Sequence, residues 1–132
     1  MMGQIDLSYV TIRYEAPIVY YNYKEGTELG FPEIKELISY AEELSGKRPY
    51  VTFADVRVSI NLTIEGRRYL ADTSNMPLFR GTAALVKNGM LSFAANFLSY
   101  FDKKLYPFKA FSEKEKAVAW LKKLPLSDER TP

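Results

Sequence analysis

The side chains that carry most nucleophilic and metal chemistry are missing from this chain, which has neither cysteine nor histidine. Their absence excludes thiolate nucleophiles, imidazole general bases, Ser-His-Asp triads and Cys- or His-based zinc sites, so catalysis would have to rest on Asp, Glu, Lys or Tyr. Among these, Asp55 stands out by position. It lies near the end of the short β-rich run Pro49-Tyr50-Val51-Thr52-Phe53-Ala54-Asp55-Val56, and the carboxyl ends of strands in an open α/β sheet are where ligands gather. The same carboxylate has a plainer use, as a cap for the following loop or for a helix starting near Thr63. Ser59 and Thr63 are the hydroxyls closest to that helix start. A phosphate would be favoured there by unpaired N–H groups, whereas an ordinary N-cap needs only the hydroxyl of Thr63. Glu42-Glu43 and the Glu113, Glu115 pair fall on amphipathic helix surfaces, and Asn88-Gly89 reads as a strand-to-helix turn. No P-loop, dinucleotide glycine fingerprint or EF-hand spacing occurs, so no cofactor and no metal is expected.

A second group of residues could bind rather than react. A helix from about Met90 to Phe101 carries three stripes: Leu91, Ala94, Ala95, Leu98 and Phe101; a polar line of Ser92, Asn96 and Ser99; and the aromatics Phe93, Phe97 and Tyr100. Helical spacing of three and four stacks each stripe along one side. A monomer has one core to offer, so the aromatic line either widens that core contact or, with Asn96, forms a surface for a partner, a second copy of the chain or a greasy ligand.

The elements that must position these residues follow from periodicity. Val10, Ile12 and Tyr14 alternate with polar neighbours, and Ile18-Val19-Tyr20-Tyr21-Asn22-Tyr23 follows after Glu15-Ala16-Pro17, which predicts two strands and a tight turn. Ile34, Leu37, Ile38, Ala41 and Leu44 recur at helical spacing after Pro32, with Gly46 as the stop. The run at 49–56 reads as a buried parallel strand, Thr63 to Ala71 as a short helix weakened by Gly66, and Thr82 to Val86 as a strand. After the aromatic helix come a strand at Phe108 to Phe111 and a last helix, whose Ser112 and Glu115 have capping-box spacing and whose Ala117, Val118, Leu121 and Leu124 form an apolar stripe. The order β-β-α-β-α-β-α-β-α implies a mixed, mostly parallel sheet with helices packed on it.

That order, with Ala95-Asn96-Phe97, then Tyr106-Pro107-Phe108-Lys109-Ala110-Phe111 and Ser112-Glu113-Lys114-Glu115, resembles the small STAS-like domains around the sporulation anti-sigma-factor antagonist, in their uncharacterised bacterial branch. The resemblance covers nearly the whole chain and implies a single STAS-like domain over residues 1–126 with a frayed tail at 127–132. In the phosphorylatable antagonists a serine at a helix N-terminus, about ten residues beyond a strand aspartate, is modified by a partner kinase. The matching position falls here near Ile64-Glu65, so phosphorylation at the family site is not expected, and Asp55, Ser59 and Thr63 remain as a candidate strand-end or switch site.

Composition bounds the rest. The 132 residues are 47% hydrophobic, enough for one domain with its own core. Net charge is +2, from 18 basic and 16 acidic residues intermixed along the chain, so no field that would gather nucleic acid or anionic lipid arises. No signal peptide or membrane span is read, and a cytoplasmic, noncatalytic regulatory or interaction domain is expected, binding a protein partner or itself as a homodimer. The alternative is a small-molecule or lipid-binding domain, because 10 Tyr, 8 Phe and 1 Trp are ample to line an apolar pocket. An enzyme ranks third.

Overall fold

The computed structural model describes residues 2–90 and 107–127. Strands β1 (Met2–Asp6), β2 (Val10–Glu15) and β3 (Ile18–Tyr23) form an antiparallel ribbon. In β2 the buried Val10, Ile12 and Tyr14 alternate with less buried neighbours, the period expected of a strand with one face on a core. The first four residues of β3 are all buried, because this strand is covered on both faces. The turn between them contains a cis Ala16-Pro17 peptide bond.

From β3 onward the sheet is parallel. Strand β5 (Tyr50–Asp55) pairs with β3, β7 (Phe79–Leu85) with β5, and β8 (Phe108–Phe111) with β7, giving the order β1-β2-β3-β5-β7-β8. Helix α1 (Phe31–Leu44) connects β3 to β5, and α2 (Ile64–Ala71) connects β5 to β7. Right-handed crossovers between parallel strands running in the same order carry both helices over the same face. Buried Ile34, Leu37 and Ala41 of α1 join Val10, Ile12, Val19, Tyr21 and Tyr50 of the sheet there. On the opposite face α3 (Lys114–Lys122) buries Ala117 and Leu121 against Ile18, Val51, Phe53, Ala83 and Leu85.

Two three-residue strands, β4 (Thr27–Leu29) and β6 (Ile60–Leu62), pair in parallel and set the starts of α1 and α2 side by side. Gly30 caps α1, its N–H held by Glu33 Oε1 at 2.8 Å, and Thr63 caps α2, its Oγ1 accepting from the Gly66 N–H at 3.0 Å. The Gly66 backbone packs so closely that a β-carbon would sit 2.7 Å from the Leu29 carbonyl oxygen. The glycine that weakens this helix in isolation is what lets it dock.

Several expectations change. Strands β1, β4 and β6 have no counterpart in the sequence reading: β1 is a Gly-, Gln- and Asp-containing edge, and the other two are too short for a period to register. Strand β7 starts at Phe79 rather than Thr82. Its pairing with β5 shifts register between Tyr50 and Thr52, and Gly81 in that interval has φ +150°, with a β-carbon position 2.7 Å from Leu124 Cδ1. The bulge breaks the alternation that would have revealed the strand's first residues. The Ser112/Glu115 capping box does not form. Helix α3 takes Glu113 as its N-cap, one residue late, so Glu115 is at the second helical position and its reach back to Ser112 is lost. Glu113 instead pairs with Lys116 at 2.9 Å. The expected helix at Met90 to Phe101 lies outside the described residues except for Met90, as does the tail beyond residue 127.

Candidate ligand cavity

Side chains on neighbouring strands determine what the sheet offers to a ligand. On the face covered by α1 and α2, β5 presents Tyr50, Thr52 and Ala54, and β7 presents Thr82 and Ala84 beyond its bulge. Four of these are small. They form the floor of a cavity of about 710 Å³, within the range of small-molecule sites. Its walls come from Leu37 and Ile38 of α1, Leu70 of α2, Met76, Tyr21 and Phe108. Thr52 Oγ1 donates to Thr82 Oγ1 at 2.6 Å, and Thr82 Oγ1 to the Thr52 carbonyl at 3.2 Å, so the floor hydroxyls satisfy each other. Tyr21 donates its hydroxyl to the Leu37 carbonyl at 3.2 Å, and desolvation pushes its phenol well above the ordinary range.

The polar groups gather where the parallel strands end. Tyr23 closes β3, Arg57 and Ser59 follow β5, and Lys87 follows β7; all four line the cavity. Asp55, the leading sequence candidate, closes β5 as expected. Period-two alternation turns its side chain away from Ala54 and toward the α3 face, and it is not among the lining residues. Its Oδ1 accepts from the Arg57 N–H at 3.2 Å and Nε at 2.9 Å, and its Oδ2 from Nη2 at 2.7 Å. Desolvation raises the Asp55 pKa, but the hydrogen bonds and charge of Arg57, aided by Lys114, outweigh it and hold the carboxyl below the ordinary range. This is a carboxylate that caps a loop and is held there by Arg57.

Ser59 donates its backbone N–H to Glu25 Oε2 at 2.5 Å and accepts the Gly26 N–H on its carbonyl at 2.8 Å. Thr63 is committed to the cap of α2. The structure therefore sets Asp55 on the far side of the strand end, Ser59 at the cavity rim and Thr63 at a helix start. They do not form one constellation. Phe93, Asn96, Phe97 and Tyr100 lie outside the described residues.

Residues 12–125 match a family model described as a domain of unknown function, DUF7793. The chain belongs to the DUF7793 family. Among solved structures, it is similar to an uncharacterised protein of the DUF3478 family from Shewanella loihica PV-4 with a SpoIIAA-like fold, at TM-score 0.55 and 20% identity, covering 92% of this chain and 95% of that one. At that identity the likeness speaks for the fold: this DUF7793 domain has the SpoIIAA-like, STAS-type architecture that its C-terminal motifs resemble. A search of curated proteins finds no match. Among the described residues, no helix is long and apolar enough to cross a membrane.

The sequence reading missed the cavity floor. A signal was present: Thr52 and Ala54, then Thr82 and Ala84, are small residues at every second position of two expected strands, the first of them read as buried. Neighbouring parallel strands with small residues in register leave a hollow where larger side chains would have met the helices.

Proposed function

We propose that this DUF7793 domain is a noncatalytic binding domain that takes an apolar small molecule into the cavity between its parallel sheet and helices α1 and α2. The carrying observation is the cavity itself, about 710 Å³ above the small floor residues Thr52, Ala54, Thr82 and Ala84. A half-open hollow of this size with mostly apolar walls leaves those side chains against water, so an apolar occupant would gain both contact and desolvation. Titration with the fluorescent probe 1-N-phenylnaphthylamine tests this. Wild-type protein should bind it, and Ala84→Leu, which fills the cavity from its floor, should weaken binding about fivefold or more, a loss of roughly 1 kcal/mol. Should the probe bind only after Phe93 and Phe97 are changed to alanine, the chain's own residues would be the occupant and the proposal would fail. Native mass spectrometry of protein from its host adds the identity of any retained ligand.

A second reading, a protein-partner or homodimer surface, is favoured by two other residues. Phe31 and Ile64, the first residues of α1 and α2, are 42% and 59% exposed. They sit at adjacent helix starts, with Phe31 edge-on to Tyr69 at 4.8 Å. Exposed apolar side chains grouped on a polar surface mark partner sites. Sedimentation of Ile64→Ser beside wild type tests this reading: a partner surface predicts that wild-type self-association, or capture of a partner, is lost in the variant.

A further inference from the structure

Resting on the cavity reading above, we propose that the ligand is an amphiphile with a long apolar chain and an anionic oxygen headgroup of the carboxylate type, its head held by Tyr23 and Lys87 at the carboxyl ends of the parallel strands. Most other polar groups of the cavity are committed, the Ser59 hydroxyl excepted. Thr52 and Thr82 bond each other, Tyr21 bonds Leu37, and Arg57 is neutralised by a two-point pairing with Asp55. Glu25 at the same rim holds the Ser59 N–H.

Among the described residues, Tyr23 and Lys87 remain as the strongest unmatched donor and charge. Tyr23 lines the cavity half-buried, with its ring 6.0 Å from that of Tyr21, and its hydroxyl has no hydrogen-bond partner among the described residues. Desolvation pushes its phenol upward, so it remains a protonated donor. Lys87 lines the exposed mouth and pairs with no carboxylate among the described residues. Among the described residues, the Tyr23 donor and the Lys87 cation on this apolar hollow match a ligand whose oxygen accepts and carries negative charge; a cationic head would meet the ammonium, and a wholly apolar ligand seated against Tyr23 would leave its hydroxyl unmet. The carbon chain then takes the floor of alanines and threonines.

Calorimetric titration of the intact chain with palmitate and with hexadecanol separates headgroup from chain. Palmitate should bind about tenfold or more tighter than the alcohol, the effect expected of a charge-assisted hydrogen bond. Tyr23→Phe, which keeps the ring, and Lys87→Gln should each weaken palmitate about fivefold or more and leave hexadecanol within about twofold. Equal affinity for acid and alcohol, or variants that bind palmitate like wild type, would overturn the headgroup assignment while leaving the cavity reading intact. Failure of both ligands, with the naphthylamine probe also excluded, would remove the cavity reading itself. Lysophosphatidate, carrying an anionic phosphate on an acyl chain, distinguishes a lipid source from a free fatty acid: preference for it over palmitate would overturn the carboxylate head.

Discussion

The two faces of the parallel sheet use the same strands for opposite ends. Against α3, Val51, Phe53, Ala83 and Leu85 close onto Ala117 and Leu121, and none of the six is more than 2% exposed. Against α1 and α2, the alternate residues of the same two strands are Thr52, Ala54, Thr82 and Ala84, and they stop short of the helices. One face spends its side-chain volume on packing and the other leaves room. Because alternation along a strand separates the two sets by a single residue, the packed face and the hollow face can be substituted almost independently.

The largest expected effect belongs to the closed face. Phe53→Ala should destabilise the domain by about 3–5 kcal/mol, lowering the thermal midpoint by well over ten degrees. Calorimetry checks this, and a shift of only a few degrees would mean the α3 face is less tightly packed than its burial implies.

The sharpest contrast is between adjacent alanines. Ala83→Leu forces three extra carbons into the closed face and should cost about 1–3 kcal/mol, whereas Ala84→Leu grows into the cavity and should stay within about 1 kcal/mol of wild type. Equal losses in urea melts would break the comparison.

At the start of α2, Thr63→Ala removes the hydroxyl that accepts the Gly66 N–H and should cost about 1 kcal/mol. Thr63→Ser, which keeps the cap, should recover most of it. Mass spectrometry after incubation with an anti-sigma-type serine kinase should find Thr63 and Ser59 unmodified.

The smallest effect is electrostatic. Because Arg57 lowers the folded-state pKa of Asp55, the stabilisation is present above the unfolded carboxyl value and disappears as pH falls through the folded one. With Arg57 largely exposed, the pair should contribute under about 1 kcal/mol. Wild type should therefore lose slightly more stability than Asp55→Asn on acidification below about pH 4. Identical acid profiles would show the pair to be energetically silent.

The strands around Val10–Glu15 and Ile18–Tyr23, the helix with Ile34, Leu37 and Ala41, the buried strand ending at Asp55 and the Thr63 cap were all legible, because each rests on local periodicity or a single hydrogen bond. The start of β7 was not, since the bulge at Gly81 interrupts the alternation that marks a strand. Asp55 was legible as a strand-end carboxylate, yet its commitment to Arg57, two residues away, depends on a loop conformation that no pattern encodes.

By itself, then, the sequence determined the absence of thiol and imidazole chemistry, the alternation of strands with helices and the apolar stripes of those helices, all properties of composition or short-range order. Only the tertiary structure decided that Thr52 and Ala54 stand beside Thr82 and Ala84, and that Tyr23, Arg57 and Lys87 meet at one edge. The physical reason is register: which residues of two parallel strands become neighbours depends on crossover helices and a bulge lying between them, and no local rule carries that distance.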